Sequence, residues 1–104
     1  MSYERVVGGV SKLQGEELKE ALELLETSLA KLEATDGLSY KAVNVTSVTG
    51  QTVAGSLYTY ELELQSGSEK KPATVTIWSR IWLKEDGTNI KIHSGGQLQL
   101  DRTW

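Results

Sequence analysis

A stripe of leucines constrains the fold more than any other feature of this sequence. Between Glu16 and Glu33, leucines recur at spacings of four, three, four and three residues, at Leu18, Leu22, Leu25, Leu29 and Leu32. This spacing places them on one face of an α-helix, and the opposite face is rich in glutamate and lysine. We therefore predict one amphipathic helix over residues 16–33, whose leucine face must be buried against another element.

The ends of this helix carry recognisable signals. Ser11 and Gln14 have the spacing of a capping box, although Gly15 would then lie in the first turn, which favours a start a few residues later. Asp36-Gly37 is a stop signal, with Gly37 suited to a left-handed cap. We expect the helix to end there.

The rest of the chain has the composition and alternation of β-strands. Residues such as Tyr60, Leu62 and Leu64 share one side of a strand, and the residues between them are polar. The predicted strands are Ser39–Val48, Ser56–Gln65, Ala73–Ser79 and Asn89–His93, with a weaker one at Val6–Val10. Ser66–Pro72 is interpreted as a polar connection, and Gly95-Gly96 as the start of a tail that ends at Trp104.

These elements predict a single α+β domain over residues 1–104. The connections between strands are short, which favours antiparallel pairing. A sheet of four to five antiparallel strands would wrap around the one long helix and bury the leucine face.

Composition excludes several classes of function. The net charge of −3 argues against nucleic acid or an anionic membrane as the partner. The chain has no cysteine, which excludes disulfides and thiolate chemistry. Its only histidine, His93, has no catalytic or metal-binding motif around it. We expect neither an enzyme nor a metal or other cofactor.

Three apolar features stand where polar turn residues are normally found. They are Val6-Val7-Gly8-Gly9 near the N-terminus, Gly50–Gly55 with Val53 at its tip, and Ile81-Trp82-Leu83. These residues could fold back into ordinary packing, since isolated exposed apolar groups are common. Alternatively, exposed aliphatic and aromatic side chains on loops are typical of interface anchors, and three of them favour a binding edge.

The same three features resemble the cystatins, which inhibit papain-like cysteine proteases. Gln51-Thr52-Val53-Ala54-Gly55 matches the Q-x-V-x-G loop of that family. Arg5–Gly9 is similar to its N-terminal segment, with Gly8 at the functional glycine, and Trp82 falls where a Pro-Trp pair is usual. The likeness covers nearly the whole chain and is greatest to the secreted insect cystatins.

The resemblance implies a cystatin-like fold and a reversible, tight-binding, non-covalent inhibitor of cathepsin-type proteases. Val6, Val7 and Gly8 would enter the non-primed side of the protease cleft. The loop formed by Gln51, Thr52, Val53, Ala54 and Gly55 would lie beside the catalytic cysteine. Ile81 and Trp82 would contact the primed side.

Two departures from the family pattern affect these expectations. Ile81 replaces the usual proline, which should weaken the third contact, since proline lowers the ordering cost of a loop. Ala73 and Ser94 align with a cysteine pair of secreted members. The resemblance to secreted insect cystatins implies secretion. The lack of cysteines and of an apolar leader before Arg5 instead suits a cytoplasmic or a processed protein.

Other readings of the sequence remain open. The chain could be a non-inhibitory binding module that uses the same edge for another partner. It could also pass from an active monomer to a domain-swapped dimer by straightening the Gln51–Gly55 hinge. Finally, Asn44-Val45-Thr46 is a glycosylation sequon that matters only if the chain is secreted.

Overall fold

The fold is one helix packed on an antiparallel sheet. A computed structural model describes the chain from Val10 to Trp104. Its elements are β1 (Val10–Lys12), α1 (Gly15–Asp36), β2 (Lys41–Val53), β3 (Gly55–Ser66), β4 (Glu69–Ser79), β5 (Thr88–Ser94) and β6 (Gln97–Thr103). The strands lie in the sheet in chain order, and every neighbouring pair is antiparallel. The predicted α+β fold is confirmed: α1 packs against five strands, β2–β6, and the three-residue β1 extends the edge.

The helix is longer at both ends than predicted. It begins at Gly15 after Gln14, whose side chain makes no capping hydrogen bond, and Ser11 lies in β1, so the predicted capping box is wrong. At the other end Gly37 has φ = 70° and its N–H bonds to the Glu33 carbonyl at 3.1 Å. This left-handed cap is the one that the Asp36-Gly37 pair predicted.

The core lies between the leucine face and the inner face of the sheet. Leu25, Leu29 and Leu32 are buried, while Leu18 and Leu22 pack at its margin. The sheet contributes buried side chains from its central strands, among them Tyr60, Leu62, Val75, Ile77, Ile90 and Ile92. The Tyr60 hydroxyl donates a 2.6 Å hydrogen bond to the carbonyl of Ala21, which ties β3 to α1.

Two segments that we interpreted as irregular are strands. Gly67-Ser68 is the whole connection between β3 and β4, so Pro72 lies inside β4 and not in a loop. β5 reaches only as far as the neighbourhood of Ala73, so at Pro72 the strand is paired on the β3 side alone, where a missing N–H is tolerated. The predicted tail is β6, which pairs with β5 through the turn at Gly95-Gly96.

Candidate functional site

Two connections emerge side by side at one end of the sheet. β2 ends at Val53 and β3 begins at Gly55, so Ala54 forms the tip of a tight hairpin. β4 ends at Ser79, which pairs with Ser56 just beyond that hairpin. We call Gln51–Gly55 the first loop, Arg80–Gly87 the second loop, and the surface that they form together the loop edge.

Apolar side chains are exposed on both loops. Val53 is 41% exposed in the first loop, and Ile81 and Trp82 are 91% and 59% exposed in the second. Leu83 extends the same apolar surface. Within the described chain, the structure thus brings the apolar groups of these two sequence features to one end of the sheet.

The first loop requires glycine at its last position. Gly55 has φ = 107°, and a Cβ added there would lie 2.5 Å from the carbonyl oxygen of Ser79. Any side chain would therefore combine an unfavourable backbone conformation with a collision against β4. Of the other loop residues, Gln51 is half-buried, and Thr52 and Ala54 are exposed.

Two residues that the sequence analysis missed hold the first loop in place. The indole N–H of Trp78 donates a 2.7 Å hydrogen bond to the carbonyl of Ala54, at the hairpin tip. The Arg80 guanidinium lies over the Trp78 ring at 4.0 Å from its centroid, a cation–π contact. We call this pair the Trp78–Arg80 clamp.

Arg80 also organises the second loop. Its backbone N–H bonds to the Gly87 carbonyl at 2.7 Å, and its carbonyl accepts from the Leu83 N–H at 3.1 Å. Its Nη2 donates to the Asp86 carbonyl at 2.8 Å. The clamp therefore joins both loops, and the signal for it was available: alternation in β4 puts Trp78 on the face opposite to the buried Val75 and Ile77.

The remaining predicted residues, Val6, Val7 and Gly8, lie outside the described residues. The described chain begins beside the first loop, because Val10 pairs with Gln51.

Across residues 10–104, no three acidic, histidine or cysteine side chains are grouped so that they could hold a metal ion. No helix among these residues is both long enough and apolar enough to cross a membrane. His93 lies on the outer face of the sheet, opposite Thr74.

The sheet wraps around one helix, and the Trp78–Arg80 clamp holds two loops together at one end of the sheet. These features define a class of protein that presents a preformed loop edge. Comparison with known proteins gives this class a family: the model for the cystatin domain matches residues 8–94, so the chain belongs to the cystatin family. The resemblance stated from the sequence is thereby confirmed.

Several curated proteins are similar to this chain. A cystatin-like protein of Drosophila melanogaster is 67% identical over 102 residues, covering 97% of this chain and 81% of that protein. Sarcocystatin-A of Sarcophaga peregrina is 39% identical over 92 residues, covering 88% and 75% of the two chains. Cathepsin F of Drosophila melanogaster is 38% identical over 63 residues, covering 60% of this chain but only 10% of that protein.

Proposed function

We propose that this chain is a reversible, tight-binding, non-covalent inhibitor of papain-like cysteine proteases. Membership of the cystatin family supports cysteine protease inhibition as the class of function. The observation that carries the finer proposal is the exposure of Val53, Ile81 and Trp82 on two neighbouring loops. When a partner covers apolar side chains that are exposed to water at one end of a sheet, the free energy of the system falls, which stabilises the complex.

The first loop would block the cleft without being cleaved. A peptide bond reacts only when it is held in a near-attack geometry with the catalytic groups. Here the tip folds back so tightly that Val53 pairs with Gly55, and the Ala54 carbonyl is already bonded to the Trp78 indole. The loop presents Val53 and backbone to the protease, but no extended scissile bond.

The second loop and the N-terminal segment would complete the contact. Trp82, with Ile81 beside it, is the large exposed anchor on the primed side. Val6, Val7 and Gly8 would occupy the non-primed side, joined to the body near Gln51 through Val10. Such an interface would be of about the standard size, roughly 1,600 Å² in total.

Rigidity is the second source of affinity. Binding costs free energy when loops must be ordered, and a preorganised loop avoids much of that cost. Ile81 lacks the ring that proline would supply, but the hydrogen bonds of Arg80 within the second loop restrict its backbone in another way. We propose that the inhibitor acts as a monomer on cathepsin-type proteases. The likeness to the family supports secretion.

An inhibition constant against active papain tests the proposal. We expect tight, reversible inhibition, and Trp82→Ala should weaken it by about 2 kcal/mol, or roughly thirtyfold. The matched control is Leu98→Ala, because Leu98 is also exposed, at 51%, but lies near the Gly95-Gly96 turn, at the other end of β5 and β6. No inhibition at micromolar concentration would contradict the proposal and would favour a non-inhibitory binding module.

A further inference from the structure

The strand β2 is interrupted by a bulge. Val43 pairs with Glu63 and Ser47 with Glu61, so three residues of β2 face a single residue, Leu62, of β3. Asn44, the first of the three, has φ = 50°. A bulge of this kind leaves its extra residues unpaired and pushes them out of the sheet.

The three residues of the bulge form the glycosylation sequon, and they project into solvent. Asn44, Val45 and Thr46 are all exposed, whereas a regular half-buried strand would alternate. The Asn44 side-chain nitrogen donates to a carboxylate oxygen of Glu63 at 2.7 Å, and the Thr46 hydroxyl donates to the Glu61 carbonyl at 3.0 Å. Both sequon side chains therefore lie at the surface.

The folded protein has room for a sugar at this point. An open groove of about 580 Å³ borders Asn44 on the outer face of the sheet, and its lining includes Glu61, Thr74 and His93. Carboxylate, hydroxyl and imidazole groups are hydrogen-bond partners for sugar hydroxyls. An Asn amide nitrogen that carries a sugar retains one hydrogen, so its hydrogen bond to Glu63 can persist.

We propose that Asn44 is an N-glycosylation acceptor when the chain enters the secretory pathway. The Asn44 amide nitrogen forms a bond to the anomeric carbon of a lipid-diphosphate-linked oligosaccharide. The bond from that carbon to the diphosphate oxygen breaks, the diphosphate leaves with the electron pair, and the nitrogen releases one proton. The donor is the ordinary co-substrate of this modification.

The glycan would not obstruct the loop edge. Along β2, Ser47 is six residues from Val53, which is about 20 Å at the rise of an extended strand. Asn44 lies farther still, beyond the bulge. Modification and protease inhibition are therefore independent, and either can fail without the other.

Expression of the full chain behind a cleavable secretion signal in eukaryotic cells tests the inference. We expect the secreted protein to carry one glycan that peptide-N-glycosidase removes, with conversion of Asn44 to aspartate seen by peptide mass. Thr46→Ala should abolish the modification and Thr46→Ser should retain it, while the same chain made in the cytosol stays unmodified. The glycosylated and enzymatically deglycosylated proteins should inhibit papain equally.

The wild-type protein decides the question even if a variant fails to fold. A secreted wild-type chain whose mass equals that of the bare polypeptide would overturn the inference. So would a glycan that persists in both Thr46→Ala and Asn44→Gln.

Discussion

At the scale of single residues, Tyr60 carries a polar group into the centre of the core. Its side chain is fully buried, and its hydroxyl donates to the Ala21 carbonyl. Burial raises the pKa of the Tyr60 phenol well above its ordinary value, and the neighbouring Tyr58 adds to this effect. The folded protein therefore retains a proton that the unfolded chain loses near pH 10.

This difference predicts a loss of stability in alkali. Below pH 10 the phenol is protonated in both states, so it contributes no pH dependence. Above pH 10 only the unfolded chain releases the proton, so the free energy of unfolding should fall by about 1.4 kcal/mol per pH unit. Urea titrations between pH 8 and pH 11 measure this slope.

Phenylalanine at this position separates the phenol from other alkaline effects. Tyr60→Phe should cost about 1 kcal/mol at neutral pH through the lost hydrogen bond, and should remove the extra slope above pH 10. Tyr40→Phe, at a half-buried tyrosine, should keep that slope. Equal slopes in the wild type and Tyr60→Phe would contradict this account.

Gly55 allows a prediction that separates collision from backbone strain. Gly55→Ala places a Cβ against the Ser79 carbonyl at a positive φ, whereas Gly67 has φ = 64° and open space around it. Gly67→Ala should therefore cost about 1 kcal/mol of folding stability, and Gly55→Ala clearly more, with a loss of papain inhibition. Thermal unfolding and an inhibition constant for both variants are the measurements.

If Gly55→Ala inhibits papain as well as Gly67→Ala does, the close approach between the first loop and β4 has no role in binding.

At the scale of whole elements, the spacing of apolar residues predicted those helices and strands that one buried face defines. The leucine spacing predicted α1, because leucines at this spacing form one apolar face of a helix, and that face must be buried. The alternation of Tyr60, Leu62 and Leu64 likewise predicted the buried face of β3. These patterns reflect the core directly.

The apolar spacing did not predict those strands that form because they pair with a neighbouring strand. Ser66–Pro72 was interpreted as a polar connection, but most of it is strand, and Pro72 is tolerated there because it lies beside a single partner strand. The tail was missed because Gln97–Thr103 is mostly exposed, with only Leu100 buried. Gly95 and Gly96 both have positive φ, as a two-residue hairpin turn requires. The Gly-Gly pair that permits this conformation was visible in the sequence.

The Trp78–Arg80 clamp predicts a variant that loses affinity but not stability. Trp78→Phe keeps an aromatic ring under Arg80, although a smaller one, and removes the hydrogen bond to Ala54. Inhibition of papain should weaken by about 1 kcal/mol, or roughly fivefold, because the first loop must then be ordered on binding. Inhibition constants and thermal midpoints for the wild type and the variant are the measurements.

Thr76→Val is the matched control for this prediction. Thr76 is half-buried on the same face of β4, two residues away from Trp78. It should keep the affinity of the wild type. A thermal midpoint that falls in proportion to the affinity of Trp78→Phe would instead make the indole a folding residue.

At the scale of the whole molecule, the candidate site could be only partly predicted from the sequence. Val53 and Trp82 were noticed because apolar residues at turns are unusual. That their loops are neighbours follows from the register of β3 and β4, and a contact between distant residues leaves no local pattern. The role of Arg80 was missed because its contact with the Trp78 ring and its hydrogen bond to the Asp86 carbonyl depend on how the second loop folds back onto β4.

The same architecture predicts how activity would be lost on assembly. A domain swap through the first loop would straighten Val53–Gly55 into a continuous strand, break the bond between Trp78 and Ala54, and bury Val53. A dimer isolated by size-exclusion chromatography after partial unfolding should therefore fail to inhibit papain, while the monomer from the same sample inhibits it. An equally inhibitory dimer would show that the first loop is not the hinge.

The agreement between strand order and chain order has a consequence for biosynthesis. From β2 onward, each strand pairs with the strand synthesised just before it, so none of the strands described in residues 10–104 depends on one that is made much later. A chain that emerges from the ribosome can extend its sheet one hairpin at a time, so the segments that carry both loops of the edge leave the ribosome before β6 does. The last step is then a closure: Arg102 meets Asp36 at the end of the helix, and Trp104 bonds to Thr88. A chain truncated before β6 would keep both loops in its sequence but lose this closure and the buried Leu100 side chain.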